Sequence, residues 1–157
     1  MRAVLLAAAL TRASGSGVRV AFMRTAFRFV ATLASLSVII QVGMAGYGAF
    51  NAVDKADDKG SVSKHTVENG FDPHGLVGTI VLALLLILLI VALVARYNVR
   101  IAGILFGLGI VQLLLAWGAS GAAWVGFFHG VNALAIAGIA GSLAGSEWQA
   151  ARVASSA

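Results

Sequence analysis

Cysteine is absent and proline occurs once, at Pro73, in 157 residues. Without cysteine there are no disulfides, no thiolate metal sites and no haem attachment through C-x-x-C-H. Charge is scarce too: charged residues make up 11% of the chain, against roughly 25% in a soluble domain. Only six residues are acidic, and none lies within a long apolar run. A carboxylate proton relay inside a membrane is therefore missing. H-E-x-x-H, G-x-S-x-G and P-loop patterns are missing as well. With so few groups able to do chemistry, the expectation is a non-catalytic protein.

What the chain does contain is apolar surface, with 60% hydrophobic residues and 19 glycines. From Gly75 to Ala95 no side chain is charged. That is about the 20 apolar residues a helix needs to cross a bilayer core of roughly 30 Å. Three further runs of similar character set the spans at about 29–50, 75–95, 101–119 and 124–144. The connections after the second and third are short, which favours antiparallel neighbours. The fold class follows: all-α, polytopic, an antiparallel up-down four-helix transmembrane bundle over residues 29–145. Glycines 43, 46 and 48, the pair Gly103–Gly107 and the pair Gly141–Gly145 read as close helix–helix contacts.

The formal charge of +5 is a topological signal. Arg2, Arg12, Arg19, Arg24 and Arg28 all precede the first span, and Arg96 and Arg100 lie between the second and third. The positive-inside rule puts both groups on the cytoplasmic side of a plasma membrane. Four spans then place both termini in the cytoplasm, with residues 146–157 as a short tail. The basic residues lack the density and aromatic interleaving of a nucleic-acid arm, so no nucleic-acid partner is expected. Lipid is the expected partner, with a membrane protein or a second copy of the chain beside it. Residues 1–28 form a basic leading segment. Within it 1–22 reads as disordered, weakly helical or not native, because Met23 also opens a conventional basic lead into a span. Residues 51–73 carry mixed charge and read as an aqueous outer loop, with Asp57-Asp58-Lys59-Gly60 as a turn and Asp72-Pro73 starting the second helix.

A few polar side chains fall inside the spans. At about 1.5 Å per residue, Gln41 lies roughly 12 Å below the outer end of its span, Gln112 about 10 Å and His129 about 8–10 Å. Asn132 is one turn deeper than His129 on the same face. These four define a polar layer in the outer leaflet, facing the bundle interior because lipid would not tolerate them. His74 is expected nearly two turns higher, close to the surface. Two readings are open. Gln41, Gln112, His129 and Asn132 can be an interhelical hydrogen-bond layer, worth about 0.6–2 kcal/mol per contact. Alternatively His74 and His129 can ligate a haem iron between helices. A transporter or channel is a weaker third, since the spans offer no charged pathway.

The segments Gln41-Val-Gly-Met-Ala-Gly-Tyr-Gly-Ala-Phe, Phe71-Asp-Pro-His74-Gly and His129-Gly-Val-Asn132-Ala-Leu resemble a family of small four-helix bacterial integral membrane proteins with a His-x-x-Asn motif on the last helix. The likeness covers residues 27–145. It implies the four-span topology and singles out these residues, but it implies no activity. The placing of the histidines is more distantly similar to haem-b four-helix bundles. That likeness implies haem b as a cofactor, with His74 and His129 as ligands. The expected function is an accessory or small-ligand-binding membrane bundle, with a haem-b electron carrier as the competing class.

Overall fold

The computed structural model describes the backbone of residues 2–119 and 122–156, and the side chains of 17–56, 60–119, 122 and 124–156. Among these, every element is helical: α1 Arg2–Lys59, α2 Lys64–Ala95, α3 Val99–Ala119 and α4 Ala123–Ser155. All four are long and apolar enough to cross a membrane. The protein is an all-α, multi-pass four-helix bundle. Each helix packs on its two neighbours in the ring α1–α2–α3–α4, and no diagonal pair brings its backbones together among the described residues.

The core follows a heptad. Phe27, Ala31, Ala34 and Val38 on α1 are buried, as are Val81, Leu85, Leu88 and Ala92 on α2. Ala102 and Leu105 continue the pattern on α3, and Ile136, Ala140 and Leu143 on α4. Alternating steps of three and four residues make the seam of antiparallel, knobs-into-holes packing. The opposite faces carry large exposed apolar side chains such as Leu76, Ile80, Leu93, Ile104 and Leu134. In a bilayer that surface meets acyl chains, which are as apolar as leucine.

The helices differ in length for a reason. α3, with 21 residues, is about 32 Å long at 1.5 Å per residue and just crosses the bilayer core. α2 has 32 residues and α4 has 33, so both run on beyond it. α1 and α2 continue past one membrane surface as a helical hairpin that absorbs most of 51–73, the stretch expected as a loop. The true connection is Gly60–Ser63. Gly60 takes φ +69°, a backbone state glycine reaches without strain. Ser63 caps α2, its hydroxyl accepting from the Thr66 N–H at 3.1 Å. Asp72 and Pro73 therefore lie inside α2 and do not start it. At the opposite end, 146–155, expected as a tail, continues α4. The expectation that 1–22 is unsettled falls largely on residues 1–16, whose side chains lie outside the described residues, as do those of Asp57, Asp58 and Lys59.

Glycine contacts are selective. A Cβ on Gly48 would sit 2.9 Å from the Gly70 carbonyl oxygen, so α1 and α2 touch backbone to backbone there. The expected contacts at Gly43, Gly46, Gly103, Gly107 and Gly145 do not form, since a Cβ there meets nothing within 4 Å. On α3 the packed glycines are Gly109, against Leu82 and Leu85, and Gly118, against Val125. Gly141 faces the Ser35 hydroxyl at 3.4 Å.

Candidate functional site

The apolar seam becomes polar at both ends. Toward the Gly60 hairpin, the next seam positions are Gln41, three residues after Val38, and His74, seven before Val81. Gln112 follows Leu105 by seven, and His129 precedes Ile136 by seven. Heptad geometry thus turns one polar side chain from each helix toward the centre.

Within this layer the same contact is made twice. His74 Nδ1 lies 3.0 Å from the Gln41 carbonyl oxygen, and His129 Nδ1 lies 3.2 Å from the Gln112 carbonyl oxygen. A carbonyl only accepts, so both Nδ1 atoms carry the proton and a neutral ring presents an Nε2 lone pair. Gln41 Nε2 reaches His74 Nε2 at 3.2 Å. Asn132 Nδ2 donates to the Leu108 carbonyl at 3.0 Å and to Gln112 Oε1 at 2.6 Å. The α1–α2 pair and the α3–α4 pair therefore each bind a histidine to a glutamine of the preceding helix.

His74 does not sit near the surface above this layer. Its ring centroid is 6.0 Å from that of His129, with the planes at 57°. The expected depth difference assumed a helix starting at Asp72. Because α2 starts at Lys64, His74 is nearly three turns inside it and level with its counterpart. Gly78 makes room: a Cβ there would lie 2.7 Å from Gln41 Nε2.

Two cavities open from the layer. One of about 290 Å³ lies on the α2–α3 side, bounded by Gly75, Gly78, Thr79, Leu113 and Ala116 beside the four polar residues. The other, of about 260 Å³, lies on the α1–α4 side, bounded by Val42, Ala45, Gly130, Ala133 and Leu134. Gln41 Oε1 is buried and accepts no hydrogen bond among the described residues. His65, also a ring that could bind metal, lies in the projecting hairpin against Asn69 Nδ2 at 3.3 Å. Among the described residues no three His, Cys, Asp or Glu side chains cluster to hold a metal ion.

The other polar end escaped the sequence reading. Glu147, counted there as part of a tail, is buried at 9% exposure. It follows Ala140 by seven residues and so occupies the seam. Its Oε1 accepts from the Tyr97 hydroxyl at 2.8 Å and from Asn98 Nδ2 at 2.9 Å. Burial first, then the Glu147 hydrogen bond and charge, hold the Tyr97 hydroxyl above its ordinary pKa, with Arg24 opposing. The heptad step from Ala140 was the signal available for Glu147.

Fold and interior together define a class: a four-helix membrane bundle with polar clusters set into both ends of an apolar seam. The chain matches no known protein family, no curated protein and no solved structure.

Proposed function

We propose that this chain is a non-catalytic membrane bundle that holds a small, mostly apolar ligand at the Gln41–His74–Gln112–His129 layer. One observation carries the reading: cavities of about 290 and 260 Å³ open from a layer to which every helix gives one polar side chain. Ligand pockets are typically apolar, of about 300 Å³ upward, with a few placed polar groups. The buried, unpartnered Gln41 Oε1 favours a ligand that carries an O–H or N–H donor. The test is native mass spectrometry of protein extracted mildly from its membrane, for wild type, Gly75→Leu and Gly130→Leu. Both glycines line a cavity and have room for a Cβ. A small molecule retained by wild type and lost from the folded variants is the expected result. Wild type that carries none, and takes none up from a membrane lipid extract, would sink the proposal.

The same reading puts the protein in the plasma membrane with both termini cytoplasmic. Its support is that Arg24, Arg28, Tyr97 and Glu147 meet at one end of the bundle, bringing the basic segments to a single side.

A second reading, a haem-b electron carrier held by His74 and His129, is favoured by the 6.0 Å separation of the two rings. Each ring has its Nδ1–H on a helix carbonyl, the anchoring that iron-ligating imidazoles use. Against it, the Gln41 amide occupies His74 Nε2 and would have to turn away before that nitrogen reached iron. A reduced-minus-oxidised spectrum separates the readings. A Soret band that His74→Gln and His129→Leu each abolish would install haem as the ligand. No band in wild type expressed with ample haem would remove it.

A further inference from the structure

The end of the bundle away from the Gly60 hairpin has a cavity that neither reading uses. Arg24 and Arg28 of α1, Tyr97 of the α2–α3 turn and Glu147 of α4 line about 180 Å³, and Thr25 with alanines of α4 completes the wall. That is room for several waters, hence for a group of a few non-hydrogen atoms.

The charges around this space are not spent on one another. Arg28 Nε is buried and has no hydrogen-bond partner among the described residues. Among the described residues both hydrogen bonds to Glu147 fall on Oε1, leaving Oε2 without one. Among the described residues the one ion pair is Lys64–Glu68, so neither arginine pairs with Glu147. Glu147 and the two arginines thus line one cavity with no ion pair between them, an arrangement that suits a ligand carrying both charges.

The arginines are held in place by aromatic rings. Arg24 lies over the Tyr97 ring at 4.6 Å and Arg28 over Trp148 at 4.4 Å. Trp148 is fixed in turn, its Nε1–H donating to the Thr32 hydroxyl at 2.9 Å. Tyrosine and tryptophan at a span end mark the headgroup level of the bilayer. A bridging ligand here must therefore carry an anion for the arginines, a cation for Glu147, and lie at headgroup depth.

We propose that this cavity binds the headgroup of a zwitterionic phospholipid with a primary ammonium, the phosphatidylethanolamine type. Its phosphate lies on Arg24 and Arg28. Its ammonium donates to Glu147 Oε2, which a trimethylated choline nitrogen cannot do, having no N–H. An anionic lipid would satisfy the arginines but set its charge against the Glu147 carboxylate.

The experiment is native mass spectrometry of the full chain in detergent with equimolar phosphatidylethanolamine, phosphatidylcholine and phosphatidylglycerol of matched acyl chains. The ethanolamine lipid should be retained about tenfold over the choline lipid, a ratio of one good interaction. Glu147→Gln keeps the shape and should abolish that preference while still binding phosphate. Arg28→Gln should weaken all three lipids, and Arg28→Lys should restore part of the binding, provided each variant stays helical and monodisperse. Preference for phosphatidylglycerol in wild type, or an ethanolamine preference that survives Glu147→Gln, would overturn the proposal. Displacement of the lipid by O-phosphoethanolamine at equal concentration would overturn the membrane origin of the ligand. Displacement only in large excess is expected.

Discussion

A glutamine or histidine at a core position of a membrane helix is stable only if another protein group meets it. His74 is met twice by Gln41, through the backbone carbonyl and through the side-chain amide. His129 is met by the Gln112 carbonyl, and Gln112 by Asn132. Sequence depth put His129 in the polar layer and His74 nearly two turns higher, close to the surface, where a substitution would matter little. The geometry makes both sensitive. His74→Leu and His129→Leu should each destabilise the bundle by about 1–2 kcal/mol. A double-mutant cycle of Gln41→Leu with His74→Leu should return a coupling of about 0.6–2 kcal/mol. Unfolding of the purified variants in denaturing detergent measures both. Additive effects in that cycle would mean the Gln41–His74 contact adds nothing in the membrane.

At the scale of helices, close approach is decided by which face a glycine occupies. Among the described glycines of α1, only Gly48 is turned toward α2, where Gly70 receives it. The Gly103–Gly107 spacing is a good packing pattern on paper, yet both residues point away from α2 and α4. Substitutions should separate the two cases. Gly48→Val puts a side chain against the Gly70 backbone, which cannot yield without moving a helix. It should destabilise by about 1–3 kcal/mol or more, the usual effect of overpacking. Gly103→Ala and Gly107→Ala meet open space and should be neutral, or stabilise by up to about 1 kcal/mol through helix propensity. Thermal unfolding in one detergent ranks them. A destabilising Gly107→Ala would show that this face packs against another chain.

For the whole molecule, the helix lengths and the distribution of arginine set the arrangement. α1 and α2 project together at one membrane surface. α1 and α4 meet at the other, where Arg28 stacks on Trp148. The proposed topology, which follows the positive-inside rule, puts the arginine end in the cytoplasm and is open to test. A Ser63→Cys variant, at the tip of the projecting hairpin, should react with an impermeant maleimide on intact cells. A Ser155→Cys variant should react only after permeabilisation. Labelling of Ser155→Cys from outside, or protection of Ser63→Cys, would invert the model of the membrane or change the number of spans.

The sequence by itself determined the class of molecule. Long runs without charge can cross a bilayer only as helices, because backbone groups have no water there to bond. The scarcity of acid, the absence of cysteine and the arginine bias needed no structure to be read. It also exposed Gln41, Gln112, His129 and Asn132, since a polar residue in an apolar run stands out. Where the helices end was not legible. A solvated helix and a solvated loop share the same mixed charge, so 51–73 read as loop, and Asp72-Pro73 read as a start although Ser63 caps α2. That error put His74 at the surface and hid its meeting with His129. Glu147 was missed for the related reason that a charged residue after the last apolar run looks like tail. Only the packing of four heptad seams decided which polar groups share a level, because level depends on where each helix begins and on how the helices are staggered. Neither is written in the composition of any single span.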